Sequence, residues 1–253
     1  ADKVGTISEA MVDNLQARGV PAEKLFFVPN AISEHFTTVS EPADIDGLRQ
    51  RLGLTGKTAI GYISNFSERE GHAILLDAFA RIARDDETLV LVLPGDGPEQ
   101  ANIGRQAHRL GLADRVILPG NVDHGEIKTW YGILDLFVVP RIADFASDYV
   151  TPLKPYEAMS QGVPVLISDR PVAAEIAGAD GSRADLFPSG DSQALADLMQ
   201  QRLQQPEHLQ QRAKVAQDWV LQERVWPRVA QRHDDIYAAA RAAHAARRGQ
   251  EVN

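Results

Sequence analysis

The chain has 253 residues, 44 % of them hydrophobic and 24 % charged, which suits one large soluble domain or about two ordinary ones. It contains no cysteine, so disulfides and thiolate metal sites are excluded, and no apolar run approaches the ~18 residues that span a bilayer. A formal charge of −9 argues against broad nucleic-acid binding, which needs a basic surface, but leaves room for a local basic pocket holding a phosphate.

The start, "ADKVGTISEA", lacks the basic segment and apolar core of a signal peptide, and the protein is expected to be cytoplasmic. "KVGTIS" and "KLFFVPN" read as strands flanking the amphipathic helix "EAMVDNLQARG". A polar stretch, "SEHFTTVSEPADIDG", separates this opening unit from the rest. A doubly wound domain seldom needs an isolated strand-helix-strand ahead of a linker, so residues 1–32 are expected to be the tail of a preceding domain. The short helix "LRQRLGL", the strand "TAIGYIS" and the helix "HAILLDAFARIAR" follow. "TLVLVLPG" is almost continuously apolar, as a central strand buried on both faces must be. Then come helix "EQANIGRQAHRLGL", strand "RVILPG", helix "GEIKTWYGIL" and strand "DLFVVPR". After these come helix "PYEAMSQG", strand "PVLISD", helix "PVAAEIAG" and the segment "ADLFPSGD". From residue 191 the chain reads as helix without further strands. The alternation predicts an α/β fold, a doubly wound parallel sheet of Rossmann-like form.

The chemistry gathers in "DYVTPLKPYEAMSQGVPVLISD", which brings Asp148, Lys154 and Glu157 together at a loop-to-helix junction. Pro152 and Pro155 fix φ on either side of Lys154, and Pro155 suits the first turn of the helix carrying Glu157. The amides and dipole of such a helix start hold phosphate, and Lys154 adds a point charge there. Arg141 ends the strand "DLFVVPR", on the side of a parallel sheet where ligands bind. The residue types alone are met equally by solvated cations and an acid complementing a helix dipole.

"PGDGPE" places Gly95 and Gly97 at another strand end, but the third glycine of the dinucleotide fingerprint is absent. Asp96 reads as a turn residue, with either glycine allowing close approach of a ligand. In "GYISNFSEREG", Ser64, Asn65 and Ser67 lie in the strand-to-helix turn, where capping the helix or touching a ligand are both open. Asp44-Ile45-Asp46 spells the Asp-x-Asp of metal-dependent sugar transferases, but it lies in a polar linker and is rejected. The histidines show no metal-binding spacing, so neither a metal nor a cofactor is expected.

The order of these pieces resembles the GT-B glycosyltransferases, in particular retaining family 4 (glycosyl transferases group 1). "DKVGTISEAMVDNLQARGVPAEKLFFVPNAI" resembles the segment joining the two halves of that fold. "GYISNFSEREGHAILLDAFARI", "LVLPGDGPE", "VILPGNVDHGEIKTWYGILDLFVVPR" and "TPLKPYEAMSQGVPVLISD" follow in the family's order, over nearly the whole chain. The resemblance implies the C-terminal, donor-binding half. Residues 1–32 would be the tail of an N-terminal acceptor domain, 33–222 the nucleotide-sugar-binding domain, and 223–253 a helix crossing back, with Val225, Trp226, Val229 and Ile236 on one face.

It also implies residue roles. Glu157 would bind the ribose hydroxyls, Asp148 the transferred sugar, and the amides around Pro152, those of Thr151 and Leu153, the diphosphate or sugar. Asn121 and Val122 would border the base, and Lys154 and Arg141 would be the diphosphate cations. The implied partners are a nucleotide-sugar donor, UDP-hexose favoured, and a glycan or lipid-linked acceptor held by the N-terminal half, which would also provide peripheral attachment at the inner face of the membrane. Two features depart from the family. Asp148 and Glu157 enclose eight residues, one more than usual. The usual Arg and Lys after the linker are replaced by Asn65 and Glu70, leaving Arg141 and Lys154 to take over the phosphate charge. Two rival readings follow: a non-catalytic sugar-nucleotide-binding module, which Asn65 and Glu70 favour, and a GT-B sugar-nucleotide epimerase, for which no additional acid/base residues are identified.

Overall fold

A computed structural model describes residues 2–250, with side chains to residue 245, so that Ala1 and residues 251–253 of the expected end segments lie outside the described residues. The opening unit forms as expected. Strands β1 (Val4–Thr6) and β2 (Leu25–Phe27) pair in parallel as a separate two-stranded sheet, connected by helix α1 (Glu9–Ala17). Ser8 caps α1, its hydroxyl accepting from the Met11 amide at 3.1 Å.

Helix α2 (Pro42–Arg51) starts with proline in its first turn and carries Asp44-Ile45-Asp46 inside it. The expected linker is therefore already helical there. Strand β3 (Thr58–Gly61), helix α3 (His72–Ile82), strand β4 (Leu89–Val92), helix α4 (Gln100–Arg109) and strand β5 (Val116–Ile117) wind outward in one direction. Helix α5 (Ile127–Gly132), strand β6 (Leu136–Val139), helix α6 (Phe145–Tyr149), helix α7 (Lys154–Ser160), strand β7 (Val165–Ser168), helix α8 (Ala173–Ala177) and strand β8 (Asp185–Phe187) wind outward in the other. The six-stranded sheet is parallel throughout, with spatial order β5-β4-β3-β6-β7-β8. The expected doubly wound α/β fold is present. β4, β6 and β7 are buried along their whole length, which is why their sequences are runs of Val, Leu, Ile and Phe rather than alternations.

Helices cover both faces. α3 packs against α4 and against α9 (Ser192–Leu203), while α5 packs against α2 and α7. Helix α10 (Pro206–Glu223) touches α9 and α7, and α11 (Trp226–Gln250) closes the described chain. The face expected on α11 is split. Val225 precedes the helix and pairs with Ile32, Val229 is buried, Ile236 is half-buried, and Trp226 is 51 % exposed. Among the described residues no helix is long and apolar enough to cross a membrane.

The opening unit meets the main body at a polar seam. The Ser8 hydroxyl donates to the Tyr149 carbonyl at 2.6 Å, the Asn30 amide to the Thr151 carbonyl at 2.9 Å, and the Ile32 amide to the Arg224 carbonyl at 2.8 Å. At its centre Glu175, on α8, is buried against Arg224 Nη2 at 3.6 Å and accepts from the Tyr156 hydroxyl at 3.4 Å. Burial pushes the Glu175 carboxyl up to about 7, against the pull of Arg224.

Candidate functional site

The sheet order reverses between β3 and β6, and a crevice opens there beyond the carboxyl ends of the strands, where parallel sheets of this kind bind ligands. A cleft of about 270 Å³ occupies this place. Ile63, Ser64 and Asn65 enter it from the turn after β3, Pro94, Gly95 and Asp96 from the turn after β4, and Asn121 and Val122 from the loop after β5. Two helices complete the wall. Ile127 and Tyr131 are one turn apart on α5, and Lys154 and Glu157 are three residues apart on α7, so each pair shares a helix face.

The floor is stitched by backbone. The Ser64 amide donates to the Pro94 carbonyl at 3.1 Å and the Phe66 amide to the Asp96 carbonyl at 2.7 Å. This pairing explains the glycines. Gly95 and Gly97 have φ of +143° and +152°, and a Cβ would lie 1.8 Å from the Ser64 carbonyl oxygen and 2.6 Å from that of Phe66. The close approach expected with a ligand is made by the neighbouring turn instead, and Gly97 does not line the cleft. Ser64 is hydrogen-bonded to His72 Nε2 at 2.9 Å. Burial pushes the His72 imidazole down to about 4, so the pair is neutral near pH 7.

Glu157 receives the Tyr131 hydroxyl on Oε2 at 2.7 Å. Burial raises the Glu157 carboxyl above its ordinary value, while Tyr131 and Lys154 pull it back. Lys154 is likewise driven down by burial and partly restored by Glu70.

Glu70 is the centre of the charge arrangement, buried with its side chain 2 % exposed. Arg141 donates to it twice, Nη2 to Oε1 at 2.9 Å and Nε to Oε2 at 3.3 Å. The Tyr62 hydroxyl donates to Oε2, and Lys154 Nζ stands 4.0 Å from the same oxygen. Burial pushes the Glu70 carboxyl up, but Arg141 and then Lys154 hold it below its ordinary value, so it is ionised. Both expected phosphate cations are thus tied to one carboxylate.

The structure gathers Ser64, Asn65, Gly95, Asn121, Val122, Lys154 and Glu157 around the cleft. Arg141 does not line the cleft and is bound to Glu70 beside it. Asp148 does not line the cleft. It lies on α6, a five-residue helix that lacks any sequence periodicity and starts from the Asp144 cap, and its Oδ1 receives Arg170 Nε at 2.7 Å. The Thr151 hydroxyl turns to the opening unit, donating to the Ile7 carbonyl at 3.2 Å, while Pro152 is buried and Leu153 is partly exposed at the N-cap of α7. Sequence reasoning missed Tyr131, which stood only within the helix "GEIKTWYGIL", and gave Glu70 no structural partner. A tyrosine one turn after Ile127 in "GEIKTWYGIL" was the available signal for the first; only tertiary structure could supply the second.

The family model for glycosyl transferases group 1 matches residues 44–219. Among curated proteins, 2-deoxystreptamine glucosyltransferase of Streptomyces kanamyceticus is 26 % identical over 64 % of this chain and 41 % of its own length. The lipopolysaccharide core biosynthesis mannosyltransferase LpsB of Rhizobium meliloti is 28 % identical over 67 % of this chain and 49 % of its own. The chain spans less than half the length of these curated relatives. Among solved structures, Anabaena Alr3699/HepE in complex with UDP superposes with a TM-score of 0.85 at 25 % identity, over 94 % of this chain and 64 % of that one. Its complex with UDP-glucose gives 0.82 at 26 %, over 96 % and 64 %.

Proposed function

Because the chain belongs to the glycosyl transferases group 1 family, we propose that it is the donor-binding part of a glycosyltransferase that moves a sugar, with retention, from a nucleoside diphosphate to an acceptor. The observation that carries this reading is the juxtaposition of Lys154 and Glu157 on one face of α7, at the reversal point of the sheet. A carboxylate suits a pair of ribose hydroxyls and an ammonium suits a phosphate, and a charged hydrogen bond of either kind is stronger in a partly buried setting than in open water. Asn121, Val122 and Ile127 would border the base, and Tyr131 would hold Glu157 in place.

In transfer, negative charge grows on the leaving diphosphate while the anomeric carbon becomes electron-poor. Lys154, Arg141 and the amides around Pro152, those of Thr151 and Leu153, would stabilise the former without a divalent metal. Asp148, beyond the cleft on α6, would meet the sugar projecting past the diphosphate once drawn from Arg170. The UDP and UDP-glucose complexes of HepE support a uridine donor, and hexose is the favoured sugar. The greater length of the relatives supports an acceptor site on a part of the enzyme outside the matched span. The acceptor would be a glycan or a lipid-linked molecule, and the enzyme would act in the cytoplasm or at the inner membrane face.

One observation favours a second reading, a sugar-nucleotide-binding module without turnover: Glu70 already occupies Arg141 and approaches Lys154. A thermal-shift screen of UDP, GDP, ADP and their hexose conjugates tests donor binding. Product analysis by NMR with the complete protein then separates transfer from mere binding and from epimerisation.

A further inference from the structure

The Glu70 carboxylate lies between two cations beside the cleft, without lining the cleft itself. Its two hydrogen bonds from Arg141 engage both carboxylate oxygens, and Tyr62 adds a third bond. Lys154 is held differently. At 4.0 Å from Oε2 it is attracted by charge without a hydrogen bond, and its side chain, 26 % exposed, is the one that reaches the cleft. Arg141, by contrast, is spent on Glu70 and only 13 % exposed. Arg141, Lys154 and Glu70 together carry a net charge of +1 rather than the +2 of the two cations alone.

We propose that Glu70 is a specificity-setting counter-charge: it positions Arg141 and Lys154 and weakens the pull of the cleft on phosphate, so that a nucleoside diphosphate is held mainly through its nucleoside and one lysine. The inference rests on the donor-cleft reading and adds to it a residue that tunes affinity for the phosphate portion. An incoming phosphate must compete with Glu70 for Lys154. The donor is thereby bound loosely at its diphosphate, which favours release of the nucleoside diphosphate after transfer.

Glu70→Gln keeps the shape and an oxygen acceptor for Arg141 but removes the charge. Calorimetric titration of the native chain and this variant with uridine, UMP and UDP tests the proposal, with unfolding measured alongside. Uridine should bind both alike, while UDP should bind Glu70→Gln about three- to tenfold more tightly, the scale of one partly screened charge. A folded variant in which UDP affinity is unchanged or lower overturns the proposal, because a purely structural carboxylate would move the melting temperature without strengthening the phosphate contact. Should the variant not fold, the native chain decides: a gain from UMP to UDP below about tenfold supports the counter-charge, and a larger gain overturns it. A native chain that binds none of UDP, GDP or ADP removes the donor-cleft reading and this inference together. Binding with an unshifted Glu70→Gln removes this inference alone.

Discussion

The Tyr131 hydroxyl donates to Glu157 Oε2 at 2.7 Å, joining α5 to α7 across the wall of the cleft. Tyr131 is fully buried, its ring set edge-on to Phe36 and tilted against Phe137, so the hydroxyl is fixed by packing rather than by solvent. The bond leaves Glu157 one oriented carboxylate oxygen for a ligand.

Removing only that hydroxyl should therefore show in binding. Tyr131→Phe retains the packed ring but frees Glu157 to rotate, and nucleoside affinity should fall by roughly 0.5–1.5 kcal/mol, the net scale of one hydrogen bond. Titration with uridine checks this. An unchanged affinity would mean that Glu157 is held by the helix alone.

Glu157 and Asp148 should separate by ligand. Glu157→Ala is expected to weaken uridine and UDP by similar factors, because the proposed contact is to ribose. Asp148 is paired with Arg170 outside the cleft, so Asp148→Ala should leave both unchanged and alter only binding of the sugar-bearing donor. Parallel titrations with uridine, UDP and UDP-glucose would show the pattern, and equal losses for UDP in both variants would contradict the assigned roles.

How the sequence announced these features differs from element to element. The buried strands were plain because a parallel sheet covered on both faces needs runs such as "LVLV" and "LFVV". The start of α7 was marked by Pro155, and Lys154 and Glu157 reached the cleft as the helix geometry requires. The α6 helix was invisible because five residues carry no periodicity, and its formation moved Asp148 to Arg170. Gly95 and Gly97 were recognised as sites of close approach, yet what approaches is the Ser64–Phe66 backbone, a long-range pairing with no local signature. Glu70 stood out in "SEREG" only as an acid in place of the family's cation, and tertiary folding alone places Tyr62, Arg141 and Lys154 around it.

Glu175 makes stability at the polar seam depend on pH. Its folded pKa is raised to about 7 from an ordinary 4.5, so its contribution is fully present below pH 4.5 and is lost as pH rises through 7. Glu175→Gln stays neutral throughout and should gain on the native chain by about 3 kcal/mol between pH 4.5 and pH 8. Denaturant unfolding of both proteins across that range measures the difference. His72 works in the opposite sense, since its folded pKa is depressed to about 4, and comparing the two proteins cancels it. Curves that run parallel would show that Glu175 is not the group that titrates.

The central claim is that this cleft holds a nucleoside diphosphate through Glu157 and Lys154, with protein cations in place of a metal. The measurement that meets it most directly is calorimetric titration of the native chain and Lys154→Ala with uridine and UDP in the presence of EDTA. Native binding of UDP should survive EDTA, and Lys154→Ala should weaken UDP by about 1.5–3 kcal/mol, tenfold or more, while leaving uridine nearly unchanged. UDP binding that collapses with EDTA, or a Lys154→Ala variant that binds UDP as the native chain does, would contradict the account.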